Sequence, residues 1–128
     1  MTKADSKKRQ AEKQKPSAEA TRVAEQILAV LNNIASIPKD SRDDFFGDFV
    51  ADLASQFGLS KLRQLLEWHT ESPMVQHQGF ALIGQILLGR KSFKHFYAGF
   101  GDHVSAMIRK HKGTPVADTG ELLLEEVA

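Results

Sequence analysis

The chain has 128 residues, with 17 Lys/Arg against 16 Asp/Glu and no cysteine. That length fits one domain of ordinary size, able to bury roughly two thirds of its unfolded surface. The missing thiols exclude disulfides, thiolate metal sites and a cysteine nucleophile. The net charge of +1 conceals a segregation along the chain. Residues 1–15 carry six bases against two acids, 16–59 three against seven, 60–89 two of each, 90–112 six against one, and the last sixteen four acids with no base. Such asymmetry bears on partners and on pairing within the molecule more than the total does.

Residues 1–16 lack a hydrophobic period and read as a disordered basic tail rather than a signal peptide. A helix is expected to start behind Ser17, whose hydroxyl suits an N-cap, with Glu19 placed favourably in the first turn. Val23, Ile27, Val30, Leu31 and Ile34 recur at helical spacing and form its expected core stripe. Pro38 ends it, because the residue before a proline avoids the α region.

A second helix is expected from Asp40 or Ser41. Phe46, Phe49, Val50, Leu53 and Phe57 form its apolar stripe, Asp44, Asp48 and Asp52 an acidic one, and Gly58 its left-handed C-cap. Ser60 caps a short third helix, with Leu62, Leu65, Leu66 and Trp68 turned inward. Ser72-Pro73 then places a capping serine before a proline at the first helical position.

The fourth helix, Pro73 to Leu88, is apolar on several sides and should lie at the centre of the domain. Gly79 and Gly84 weaken it but would let neighbours approach closely. Gly89 stops it, Ser92 caps a long fifth helix carrying Phe93, Phe96, Tyr97, Phe100, Val104, Met107, Ile108 and His111, and Gly113 and Pro115 end that helix. The fold class is therefore all-α: a compact bundle of about five helices over 17–113, with a basic tail at 1–16 and an acidic tail or short docking helix at 114–128.

Catalytic signatures do not accumulate. GQILLGRKS, Gly84 to Ser92, departs from a phosphate-binding loop because Arg90 precedes Lys91 and the variable residues are helical. The five histidines lack the i, i+4 pairing of a metal site, so no metal or cofactor is expected. Glu67, His69 and Glu71 read as ordinary surface, and Ser17, Ser60, Ser72 and Ser92 as caps. The longest strongly apolar run, Phe80 to Leu88, is about half a membrane span, and no membrane is expected as a partner.

The expectation is a non-enzymatic, cytoplasmic regulatory or adaptor protein that binds another protein, with Leu122, Leu123 and Leu124 as a docking segment and self-association as a further outcome of its apolar content. The alternative is a nucleic-acid-binding accessory protein. Its phosphate contacts would come from the tail (Lys7, Lys8, Arg9), from an anion site at the start of the last helix (Arg90, Lys91, Lys94), and from that helix's basic end (Arg109, Lys110, Lys112).

Overall fold

A computed structural model describes residues 15–37, 55–88 and 99–127. Every element in them is helical: α1 (Ala18–Ser36), α2 (Gln56–Trp68), α3 (Pro73–Leu88), α4 (Phe100–Lys110) and α5 (Val116–Val127). The expected all-α bundle is present. α3 is its hub, packed against α1, α2 and α5, while α4 packs on α5.

The starts and stops follow local chemistry. Ser17 accepts a 3.1 Å hydrogen bond from the Ala20 amide and caps α1. Ile37, ahead of Pro38, leaves the helix in an extended conformation. Ser72 accepts from the Val75 amide at 3.1 Å and caps α3 before Pro73. Gly113 takes a left-handed φ of 82° beyond α4. Thr114 then turns the chain, donating to the His111 carbonyl and accepting from the Val116 amide at the head of α5.

Two boundaries differ from expectation. The helix through Phe57 does not descend to Gly58 from upstream: Ser55 is extended, accepts from the Gly58 amide at 3.3 Å, and starts α2. Gly58 thus sits in a first turn and Ser60 inside the helix. The stretch expected to form the second helix, including Asp44, Asp48 and Asp52, lies outside the described residues except at this end. The long fifth helix is also interrupted. Gly99 adopts φ 85°, which an L-residue tolerates poorly, and α4 begins only at Phe100; Ser92, Phe93, Phe96 and Tyr97 lie outside the described residues. The C-terminal stretch, expected as an acidic tail or a short docking helix, is the helix α5, packed against α3 and α4.

The core is built from Leu28 of α1, Leu59, Leu62 and Leu66 of α2, Val75, Phe80, Leu82, Ile83 and Ile86 of α3, Phe100, Val104 and Met107 of α4, and Val116 and Leu123 of α5. α3 supplies its middle, as its all-round apolarity implies. α1 is the exception to the periodic reading. It buries Ala24, Leu28 and Asn32, whereas Val23, Ile27 and Val30 of the expected core stripe stay 52, 50 and 55% exposed. A period of 3.6 identifies apolar faces, and α1 has two of them. Trp68, expected inside, is also exposed.

The two glycines of α3 play opposite parts. A Cβ on Gly79 would stand 2.1 Å from Cδ2 of Leu66, a fully buried side chain with nowhere to retreat, so this glycine is what lets α2 cross α3 so closely. Around Gly84 there is open space. Gly79→Ala should therefore destabilise by about 1–3 kcal/mol through overpacking, and Gly84→Ala should stabilise by roughly 0.5–1 kcal/mol through helix propensity. Urea denaturation of the two variants against the parent checks both signs.

Candidate protein-binding groove and the polar clusters around it

Three arrangements carry enough shape or chemistry to be sites. The first is the space that Gly84 leaves open. A groove of about 460 Å³ runs between the C-terminal end of α1, the middle of α3 and the outer side of α5. Ala35 forms its α1 wall, and Phe80, Ala81 and Gly84 its floor. Leu122 and Leu123 form the α5 wall, with Gln85, Thr119 and Glu125 as polar markers at its rim. Small side chains on two helices, Ala35, Ala81 and Gly84, leave this space open. Gln85 and Thr119 are held by neighbours. Gln85 donates to the Ser36 hydroxyl at 3.3 Å. The Thr119 hydroxyl donates back to the Pro115 carbonyl at 3.1 Å and pairs with Nδ1 of His77 at 3.3 Å. The groove can thus take up an apolar side chain while presenting a few fixed hydrogen-bonding groups, which is the composition of ordinary binding pockets.

The leucine cluster of α5 divides across this wall. Leu123 is 1% exposed and belongs to the core, Leu124 packs against it, and Leu122 is 65% exposed. The three leucines expected as a docking segment thus have different surroundings. Two of the leucines hold α5 to the domain, because a helix lying on a core must face it with some of its apolar residues; Leu122 alone is free to meet a partner.

The second arrangement joins α2, α3 and α4. Gln76 is fully buried. Its Nε2 donates to the carbonyls of Leu66 and His69, both at 2.9 Å, so its Oε1 is left to face Nε2 of His103, also at 2.9 Å. With the amide so oriented, Nε2 of His103 carries the hydrogen and Nδ1 is the basic nitrogen. The His103 ring stacks on Phe100 with centroids 5.0 Å apart and meets Phe80 edge-on, while the Arg63 guanidinium lies over Phe100. Burial pushes the His103 pKa below its ordinary value, against a smaller opposing pull from Glu67.

The third is a polar hollow of about 420 Å³ at the head of α3, lined by Thr21, Arg22, Glu25, Glu71 and Ser72 among others. His69, expected on the surface with Glu67 and Glu71, is instead 2% exposed behind it, with Nδ1 hydrogen-bonded to the Thr21 hydroxyl at 3.1 Å. Helix α2 ends at Trp68, which turns the following residue inward while its two acidic neighbours remain outside, Glu67 paired with Arg63 and Glu71 with Lys110. The Ser72 hydroxyl donates to Glu25 at 2.8 Å while accepting from Val75. Ser72 and His69 are thus engaged by different partners, Ser72 by Glu25 and His69 by Thr21. Burial lowers the pKa of His69, opposed by the charge of Glu25.

Among the basic candidates, Arg109, Lys110 and Lys112 are exposed at the C-terminal end of α4, where cations suit the helix dipole, and Lys110 already pairs with Glu71 at 2.5 Å. That contact holds the Glu71 carboxyl below its usual pKa. Lys7, Lys8, Arg9, Arg90, Lys91 and Lys94 lie outside the described residues. His111, expected at a core edge, is half-buried and donates through Nε2 to the Thr70 carbonyl at 2.8 Å. Among the described residues no group of three or more His, Cys, Asp or Glu could hold a metal ion, and no helix is long and apolar enough to cross a membrane.

Sequence reasoning missed Gln76 and the groove. An amide beside Val75 at the head of an apolar helix was the available signal for the first. For the second it was the spacing of Ala81 and Gly84, three residues apart and so on one face.

Desolvation depresses both His69, which is buried, and the half-buried His103, so the unfolded chain takes up their protons first as pH falls. Stability is then complete above about pH 6.5, the unfolded value, and declines below it. The melting temperature should fall between pH 7.5 and 5.5, and the double variant His69→Gln/His103→Gln should show a flatter profile over the same range; an unchanged slope would mean that neither ring is desolvated in solution.

Comparison of the chain with protein-family models, with curated proteins and with solved structures found no match.

Proposed function

We propose that this chain is a non-enzymatic adaptor that binds another protein through the groove between α1, α3 and α5. The observation that carries the reading is the groove itself: an apolar hollow floored by Ala81 and Gly84 and rimmed by the exposed Leu122. Exposed apolar surface rimmed by polar residues is the usual mark of a protein contact. A helix laid into such a groove would seat one or two large apolar anchors over Gly84, with Leu122 packing against the incoming backbone or side chains. Gln85, Thr119 and Glu125 would set its register.

The three histidines and serines with the most suggestive chemistry, His69, His103 and Ser72, are spent on internal hydrogen bonds that join helices. This supports a binding role over a catalytic one. A regulatory role in the cytoplasm belongs to the same proposal and rests on the charge and composition of the sequence. The nucleic-acid alternative keeps one structural support, the three exposed cations at the end of α4.

The test compares variants that alter the groove without touching the core. Gly84→Leu fills the hollow on a helix-compatible residue, and Leu122→Ser removes the exposed rim. Affinity capture from the native host with the wild-type chain should recover a partner at about 0.15 M salt, and each variant should lower its recovery at least tenfold while melting at or above the parent temperature. Arg109→Gln/Lys110→Gln/Lys112→Gln should leave recovery within about twofold, as rim charges act mainly on association rates. If the charge variant alone abolishes binding, and the bound material is nucleic acid released between about 50 and 200 mM salt, the alternative holds instead.

A further inference from the structure

The groove between α1, α3 and α5 has one electrostatic sign. Among the described residues its lining holds a single charged group, Glu125, and no Lys or Arg. The charge continues along α5, where Asp118, Glu121 and Glu125, three and four apart and so on one face, are all exposed beside Leu122. Arg63 pairs with Glu67 and Lys110 with Glu71, and among the described residues no base pairs with the three acids of α5. The other two walls supply no balancing charge. α3 contains no Asp, Glu, Lys or Arg, and α1 contains none from Gln26 to its end. Each helix also meets the groove close to its C-terminus: Ala35 is one residue from the end of α1, Gln85 three from the end of α3, and Glu125 two from the end of α5. None of the three has a base in its last turn. The negative ends of their dipoles, each equivalent to about half an elementary charge, add to the acidic stripe. The basic end of α4 stands elsewhere, at the head of α3, where Lys110 meets Glu71.

We propose that the occupant of this groove is a basic amphipathic helix of a partner protein, with a large apolar side chain seated over Gly84 and Lys or Arg residues facing Glu121 and Glu125. This rests on the groove being the protein-binding site proposed above, and adds the partner's chemistry to it. The lining of Ala35, Phe80, Ala81, Gly84 and Leu123 calls for the apolar anchor, and the single sign of charge around it calls for the cations. An acidic helix in the same place would meet like charge along α5 and at three helix ends, which selects against it. A neutral helix would bury the same apolar area without the attraction. Lys and Arg also suit the rim in shape: their alkyl stems can lie along the exposed Leu122 while the charged head stays in water beside a carboxylate. These pairs are exposed and screened, so together they change affinity by about threefold to tenfold, while the buried anchor supplies most of the binding.

The test selects binders from random peptides of about sixteen residues, about four helical turns, displayed on yeast and offered the full chain at about 50 mM salt. Peptides that also bind Gly84→Leu, which keeps every charge but fills the hollow, are discarded. The peptides that remain should carry a large apolar residue and a net charge of about +2 or more, and their binding should weaken about threefold to tenfold by about 300 mM salt. Glu121→Lys/Glu125→Lys places cations near a helix C-terminus, where the dipole favours them, so it should melt at or above the parent temperature. It should weaken the selected peptides about tenfold, and a fresh selection on it should return peptides without the basic excess. Peptides that depend on Gly84 but show no excess of Lys and Arg would leave the groove a protein-binding site and overturn the inference about its partner. A selection in which no peptide distinguishes the parent from Gly84→Leu would remove the groove reading and the inference together. Basic peptides that bind about tenfold more tightly to Arg90→Gln/Lys91→Gln/Lys94→Gln would show the chain's own cations holding the acidic side, which also overturns it.

Discussion

The amide of Gln76 is the interaction on which the arrangement of helices depends. A helix that ends inside a protein leaves its last carbonyls without partners, and a buried carbonyl without a partner is expensive. α2 ends in this way against the body of α3. Gln76 meets the carbonyls of Leu66 and His69 with one nitrogen and turns its oxygen to His103 of α4. Three helices are thereby tied at one point, with geometry that fixes the orientation of the amide and the tautomer of the histidine. The close crossing permitted by Gly79 is what brings the Leu66 turn within reach. Beside the knot the His103 ring stacks on Phe100, and Phe80 meets both edge-on.

The outer helices are attached in different ways. α1 is attached to α3 on its polar flank by Asn32, whose amide nitrogen donates to both the backbone and side-chain oxygens of Gln78 at 2.8 Å, and by Glu25 through Ser72. Asn32 Oδ1 is buried without a hydrogen-bond partner, a local cost accepted where the helix is clamped. A helix held by polar contacts on one flank and by Ala24 and Leu28 on the next has apolar residues to spare. α5 is held differently, by Leu123 and Val116 driven into the core, which leaves its outer Leu122 beside the groove.

The groove exists because small residues stand where large ones would have closed the packing: Ala35, Ala81 and Gly84 line it. A core filled to crystal-like density has no such hollows. The groove comes from positions where apolar character is kept and volume is withheld.

What the sequence determined by itself is local. Ser17, Ser72-Pro73, the residue before Pro38 and Gly113 act within three or four positions of themselves, and each start or stop they imply is where the chain places it. The burial of α3 was equally determined, because a helix apolar on every side has no face to give to water. What only tertiary structure decided is which of several compatible surfaces was used. Periodicity could not choose between the two apolar faces of α1, nor assign Leu123 to the core and Leu122 to solvent, nor tell that Ser55 rather than Ser60 would cap α2. It could not foresee that Gln76 and His69 would be buried, since their partners lie seven to forty-eight positions away. Capping is a contest among neighbouring groups and is written in their order; burial is a sum over contacts between distant segments, and that sum exists only once the helices have met.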